Sequence, residues 1–309
     1  GREHPTEAMA APFSGGVWYD GTDGLFKCFY CAGWFDGTAY AYSTNGFDWI
    51  RPSLRAVPGT NRLVEPTIVD GVRSYRDSAA VVMDPDAVDG YRWKMLVWYR
   101  PYDTVAGQLY RSKDGILWEE SVACRRTGDR STIFYNPFAK RWVYSIRSYW
   151  HERSREYADA ADFLDLARLG NAVPWFYCDD KDLRAKSYVW YDPTVKGEPI
   201  KPALYNFDSV AYESLMVAVA TVWQGPENFM YDRVGLPKPS DLHLAFSRNG
   251  FDYSRPDDRT PFLACSRRKG DWNAGYLHSN AGVCLVNGDE LWFYFTGFAG
   301  DPKRLKRTS

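Results

Sequence analysis

No apolar run in this chain approaches the roughly 18 residues that a membrane-spanning helix requires, and no secretory leader is visible. Charge of one sign is missing too. Lys and Arg total 38 against 39 Asp and Glu, a net charge of −1, so neither nucleic acid nor an anionic membrane finds a complementary field here. Histidine is scarce, with four in 309 residues. No H-x-x-x-H or H-E-x-x-H occurs, so a zinc hydrolase is not expected. The glycine-rich phosphate loop, the G-x-S-x-G elbow and the dinucleotide fingerprint are likewise absent. Cys28 and Cys31 form the single C-x-x-C, inside a strand-like run that points them to opposite faces, and no second pair completes a metal site. Disulfides stay open. No cofactor is expected, with a structural calcium left open. The chain begins Gly-Arg-Glu, which suggests a processed or engineered start.

Aromatic residues are abundant, at 17%. Most such rings fill layers between sheets, but Trp and Tyr also offer flat apolar faces with a polar edge, which suits sugar rings. Asp129 to Arg147 reads as an acid, an apolar strand, an Asn136-Pro137 turn and a returning strand. Asp77 to Tyr99 repeats that order around Asp84-Pro85, and both acids lie seven positions before the turn residue. Asp84 and Asp86 themselves read as turn formers.

A second motif, S-x-[ND]-G-x-x-[WY], recurs at Ser43–Trp49, Ser112–Trp118 and Ser247–Tyr253. The first two copies start 69 residues apart and the next follows after 135, about twice that step. A fixed period signals a repeat architecture, and Asx-Gly suggests two-residue type I′ hairpin turns. We therefore expect an all-β chain, one domain over 1–309, folded as a five-bladed β-propeller of four-stranded antiparallel blades. A short helical or irregular insertion is expected near 154–170, and a linker or edge loop from Pro193 to Pro202. The basic ending Lys303 to Ser309 is too short for a full blade. Its closing strands are expected from the N-terminal arm, 1–12, unless the chain is part of a longer protein.

In a propeller the inner strands converge on the axis. Asp77, Asp129 and Glu213 each stand near what reads as the head of an inner strand. Carboxylates that meet in a partly dry funnel push each other's pKa apart, and one protonated acid beside one ionised base or nucleophile is what glycoside hydrolysis uses. Arg76 and Arg130 flank two of the acids. Tyr212, Trp150, His151, Trp272, Asn273, His278 and Asn280 are further candidates for contact with an oligo- or polysaccharide. A non-catalytic sugar-binding propeller is the first alternative. A sialidase-like enzyme is the second, since the Asx-Gly motif is similar to the Asp-box turn. That motif is one residue short here, and no arginine triad is evident.

Arg76-Asp77 before an apolar strand resembles the Arg-Asp motif of glycoside hydrolase families 32 and 68, and Glu213 resembles their acid/base glutamate. The wider group includes family 43. Asp129 to Arg147, Val210 to Trp223 and Asp241 to Gly300 look like uncharacterised bacterial proteins usually labelled family-32-like. The resemblance implies five blades, an Asp, Asp, Glu trio and a furanoside or another plant, algal or microbial sugar. A periplasmic or extracellular setting suits such a substrate. One departure stands out: families 32 and 43 place the first aspartate on blade one, in family 32 within Asn-Asp-Pro. This chain's Gly15-to-Asp20 stretch puts Asp20 at a turn. Either the frame is shifted and Asp77 replaces the first aspartate, or Asp77 is the Arg-Asp stabiliser and the nucleophile is Asp129 or missing.

Overall fold

The computed structural model describes residues 10–298, except 34–36, 65–67, 70–71, 74, 101–106, 125, 169, 171, 183–200, 226–238 and 269. It is an all-β propeller arrangement of antiparallel sheets. Sheet one contains β1 (Ala10–Ala11), β2 (Val17–Asp20), β3 (Leu25–Ala32), β4 (Gly37–Ser43) and β5 (Arg62–Val64). Both β1 and β2 pair with β3, so they form one inner edge interrupted by a buried 3-10 turn, Phe13–Gly15. A small ribbon follows, β6 (Ile68–Val69) with β7 (Val72–Arg73). Sheet two holds β8 (Tyr75–Met83), β9 (Trp93–Arg100), β10 (Gly107–Ser112) and β11 (Trp118–Cys124). Sheet three holds β12 (Thr132–Asn136), β13 (Arg141–Ser148), β14 (Ser154–Ala160) and β15 (Val173–Pro174). Sheet four holds β16 (Ala203–Tyr212), β17 (Leu215–Trp223) and β18 (Ser240–Ser247).

The last unit differs from the expected fifth four-stranded blade. Its described residues form two separate pairs, β19 (Tyr276–Ser279) with β22 (Phe295–Phe298) and β20 (Leu285–Asn287) with β21 (Glu290–Trp292). Four sheets therefore stand as blades. The expected insertion is also smaller than 154–170. Ser154–Ala160 is a regular strand, and only Leu164–Arg168 turns as a 3-10 helix. Of the N-terminal arm, residues 10–11 join sheet one, and residues 1–9 lie outside the described residues. Of the expected linker, 193–200 lies outside the described residues, as does Lys303 to Ser309.

The strands are apolar because neighbouring sheets cover both their faces. Trp93, Met95, Leu96, Val97 and Trp98 of β9 are all buried, as are Met216 to Val222 of β17. The first strand of each sheet is the inner one. Thr132 Oγ1 on β12 donates to the Phe207 carbonyl on β16, and the Arg130 amide ahead of β12 donates to Ser78 Oγ on β8 at 3.2 Å.

The three Asx-Gly motifs share one geometry. The serine Oγ accepts the glycine amide at 2.9, 2.9 and 2.8 Å in turn. The Asx oxygen accepts the next two amides, as Asn249 Oδ1 does from Phe251 and Asp252. Only the glycine has positive φ, which corrects the type I′ expectation, where two successive residues would. Each glycine also packs on the preceding sheet. Gly250 meets Asn136 and Gly115 meets Phe29. Gly46 meets Trp292 and Tyr294, and Tyr294 donates to its carbonyl at 2.9 Å. The first sheet thus docks on the last unit as the others dock on their neighbours, and the ring closes.

Candidate functional site

At one end of the inner strands, acids from three successive sheets face a group of arginines. Asp77 sits in a bulge of β8, between the ladder pairs Arg76–Tyr99 and Ser78–Trp98. A bulge re-aims the side chain it carries, and Asp77 is buried where its charge bears on Arg130.

Asp129 lies in the turn ahead of β12. Its carboxylate is 3.1 Å from Arg153 Nη2, 3.4 Å from Arg130 Nε and 3.9 Å from Arg147 Nη1. Burial alone raises its pKa, but the charges of Arg153, Arg130 and Arg147 outweigh that and hold the carboxyl well below the usual range. Arg130 adopts φ +62°, a conformation that costs a non-glycine residue energy. Its guanidinium lies 4.0 Å over the Phe13 ring.

Asp208 is the third acid, on β16. It accepts hydrogen bonds from Asn206 Nδ2 and Ser279 Oγ, both at 2.6 Å. It is fully buried, and desolvation raises its pKa despite those bonds and the nearby charge of Arg155. Asp129 and Asp208 both act on Arg155. The two carboxyls are therefore pushed in opposite directions across a single guanidinium.

Tyr205 ties the arginines together. Its carbonyl accepts from Arg153 Nη2 at 3.2 Å and from Arg155 Nη2, and its ring lies 4.4 Å below the Arg153 guanidinium. His278 on β19 packs against Phe13 at 4.6 Å and Tyr205 at 5.7 Å. Burial first, then Arg130, lowers its pKa well below the ordinary imidazole value, so the ring is neutral. Nδ1 is 2.7 Å from the Ser279 carbonyl and must donate to it, which leaves Nε2 as an acceptor.

Glu213 is not part of this group. The inner strand of sheet four is β16, and the apolar run after Glu213 is β17, the second strand of that sheet. Glu213 falls in the exposed β16–β17 turn with φ +50°. Eight residues of strand separate it from Tyr205, about 26 Å at roughly 3.3 Å per residue. Tyr212, the last residue of β16, is displaced with it.

Arg76 is buried and donates from Nε to Thr38 Oγ1 at 3.0 Å, linking sheets two and one. Trp150 and His151 lie in the β13–β14 loop at the Asp129 end. They form an exposed aromatic group with Tyr177, with ring centroids 5.0 and 4.7 Å from it, and Trp150 Nε1 donates to the Arg155 carbonyl. Trp272, also exposed, stacks on Phe295. Asn273 donates to the Ala264 carbonyl and closes its own loop. Asn280 is buried; its amide, in the orientation that satisfies it, donates to the Phe13 and Ser279 carbonyls. Asp20 is buried far from these acids in sequence order, paired with Lys27 at 2.7 Å and Arg92 at 2.9 Å. Sheet one brings Phe13 against Arg130 and His278, where the resemblance implies an aspartate. The six cysteines are unpaired and buried. Among the described residues, no group of three or more His, Cys, Asp or Glu could hold a metal ion.

Asp208, Arg147, Arg153, Arg155, Tyr205 and Tyr177 escaped the sequence reading. Arg153 and Arg155 carried a usable signal: alternate positions on one strand share a face. Reading 154–170 as an insertion concealed that strand.

No family model matches the chain, and no curated protein does. Solved structures share its fold. A thermostable family-43 glycoside hydrolase superposes with TM-score 0.55 at 13% identity, covering 95% of this chain and 86% of its own. The N-acetylgalactosamine deacetylase of F. plautii, in complex with blood group B trisaccharide, gives 0.54 at 13%, covering 91% and 82%. The endo-arabinase of Bacteroides thetaiotaomicron gives 0.53 at 7%, covering 95% and 96%. At these identities the similarity establishes the propeller fold.

Proposed function

We propose that this chain is a five-bladed propeller glycoside hydrolase, with β19–β22 and β20–β21 as its fifth blade and the Asp77, Asp129 and Asp208 end as its active site. The observation that carries this reading is the opposed environments of Asp129 and Asp208. Two carboxyls whose pKa values are driven apart divide the acid and base roles between them. Asp129, held ionised by three arginines, is the base or nucleophile. Asp208, whose proton affinity is raised by burial, is the proton donor. Asp77 acts through Arg130, which it shares with Asp129. The exposed group of Trp150, His151 and Tyr177 stacks on the oligosaccharide. The similar structures support a sugar ligand, since they include a glycoside hydrolase, an arabinase and a deacetylase bound to a trisaccharide. They also differ in chemistry, so the fold alone does not select the bond cleaved.

The test is release of 4-nitrophenol from a panel of aryl furanosides and pyranosides, including a furanoside series for the resemblance. Asp129→Asn and Asp208→Asn are expected to lower turnover by about 10²- to 10⁴-fold, the usual contribution of a general acid or base. Glu213→Gln keeps wild-type turnover. Wild-type rates in both Asp variants would refute the hydrolase. The second reading, a non-catalytic sugar-binding propeller, is favoured by Phe13, not an acid, being the sheet-one side chain that meets Arg130 and His278. Glycan binding without turnover by the wild type would select it.

A further inference from the structure

The arginines around Asp129 offer more donors than the described residues accept. Arg155 is fully buried and spends one donor on the Tyr205 carbonyl. Its Nε and Nη1 meet no acceptor among the described residues. Arg130 is equally enclosed and leaves Nε and Nη1 without a hydrogen bond, although Nε stands 3.4 Å from Asp129 in an ion pair. Arg153 leaves Nε unmatched. A buried polar group without a partner is destabilising, and more so when charged. A buried cation therefore calls for a counterion. Here Arg130, Arg147 and Arg153 hold Asp129 and Arg155 lies within its field, Asp77 acts on Arg130 as a second carboxylate, and Asp208 has its proton affinity raised by burial. Arg155 bears the imbalance. Burial and the charge of Arg153 push its pKa down to about 9, against the opposing pull of Asp129 and Asp208. Among the described residues the four guanidinium groups outnumber the carboxylates Asp77, Asp129 and Asp208, and their donors outnumber the acceptors at the same place.

Carboxylate and sulfate supply both. Their paired oxygens match the guanidinium fork and make hydrogen bonds stronger than neutral ones. Beside these donors, His278 Nε2 is buried with no partner among the described residues and can accept only from a donor such as a sugar hydroxyl. We propose that the axis site takes an anionic sugar, whose carboxylate or sulfate is held by Arg155 and Arg130 while a hydroxyl donates to His278. This names the substrate class of the site described above and rests on that reading.

The experiment compares binding of oligosaccharides in matched neutral, uronate and sulfated forms by calorimetry. At 50 mM NaCl, a charged form is expected to bind at least tenfold more tightly than its neutral counterpart, and 500 mM NaCl to narrow the gap. Arg155→Met brings the two within twofold, while Arg155→Lys keeps part of the preference. Whether uronate or sulfate binds better identifies the anion. Equal affinity for neutral and charged forms, or an unchanged preference in Arg155→Met, overturns the proposal. If Arg155→Met does not fold, wild-type melting decides: 10 mM glucuronate or sulfate raises the midpoint above that with 10 mM glucose, and no rise with either anion overturns the proposal. Cleavage of neutral glycosides without anion preference sinks this inference and leaves the hydrolase standing. Tight binding of a charged sugar that is never cleaved does the reverse.

Discussion

Removing the Asp129 charge tests the electrostatics of the site most directly. In Asp129→Asn the side-chain volume is kept, but Arg153, Arg130 and Arg147 lose their shared counterion at 3.1, 3.4 and 3.9 Å. Arg130 and Arg153 are the most enclosed of the three, with side chains 4% and 10% exposed. Breaking a buried ion pair from one side costs about 3–5 kcal/mol. The Asp129 side chain is 13% exposed and its own desolvation is relieved, so the low end, roughly 3 kcal/mol, is expected. In a chain of this length, at about 2.1 cal/mol/K per residue, that lowers the melting midpoint by roughly 5 °C. The pH dependence has a fixed sign. The folded pKa of Asp129 is depressed, so its stabilisation is complete above the unfolded value near 3.9 and is lost as pH falls towards the folded value. The gap between wild type and variant should therefore be widest at pH 5–8 and shrink towards pH 2. If the site is short of anions, 50 mM sulfate should recover at least about 2 °C of the variant's loss, while sodium chloride at equal ionic strength recovers less. Scanning calorimetry at several pH values measures all of this. A variant within 1 °C of wild type at pH 7, or a gap that widens in acid, refutes the counterion role.

Asp208 should behave in the opposite way. Its folded pKa is raised, so its charged form is penalised increasingly as pH rises from about 3.9; Asp208→Asn is expected to melt higher than wild type at pH 8, with the advantage gone by pH 4, and a variant destabilised equally at both pH values contradicts the burial argument. Glu213 holds φ +50° in a turn, so Glu213→Gly should gain up to about 1 kcal/mol by relieving a left-handed residue, and a loss larger than that in urea titration would show an interaction there. Gly46→Ala and Gly59→Ala separate ring closure from backbone strain, since both glycines have φ +80°. A Cβ at Gly59 meets nothing, whereas one at Gly46 meets Tyr294 and Trp292 at 2.5 and 2.6 Å. The first should cost roughly 1 kcal/mol and the second at least about 2 kcal/mol more; equal losses would deny that Gly46 seals the first sheet to the last unit.

The fold was legible wherever the chain repeats itself. The S-x-[ND]-G-x-x-[WY] motif marked three strand ends because its serine and Asx oxygens each satisfy amides that no ladder can reach. The turn type was misjudged, since a Ser cap holds the loop with one left-handed residue where a bare hairpin needs two. Asp129 was legible because β12 is short, is bounded by Asn136-Pro137 and begins just after the acid. Asp208 was not, because it stands within an alternating strand, Asn206-Phe207-Asp208-Ser209-Val210, where an acid ordinarily faces solvent. Nothing local records that Ser279 arrives 71 residues later to bond it. Glu213 stood out because it precedes a long apolar run. A turn followed by a strand gives the same pattern as a loop followed by an inner strand, and hydrophobicity cannot separate them.

The arginines raise the last question, which is why a core built from apolar sheets tolerates them. Arg155 occupies a fully buried position on β14 between Ser154 and Glu156, where an aliphatic residue would satisfy the ladder equally well. Replacing buried ionic groups with apolar ones is often neutral or stabilising, so fold stability does not account for a guanidinium with two unmatched nitrogens there. Such costs persist where a ligand recovers them, because donors left unpaired in the free protein become bonds in the complex. The same reasoning covers the positive φ of Arg130 and the open acceptor on His278. Three local penalties, from three different strands or turns, meet around Tyr205 and Phe13. Their coincidence around one place, rather than the cost of any one, is what the proposed sugar site rests on.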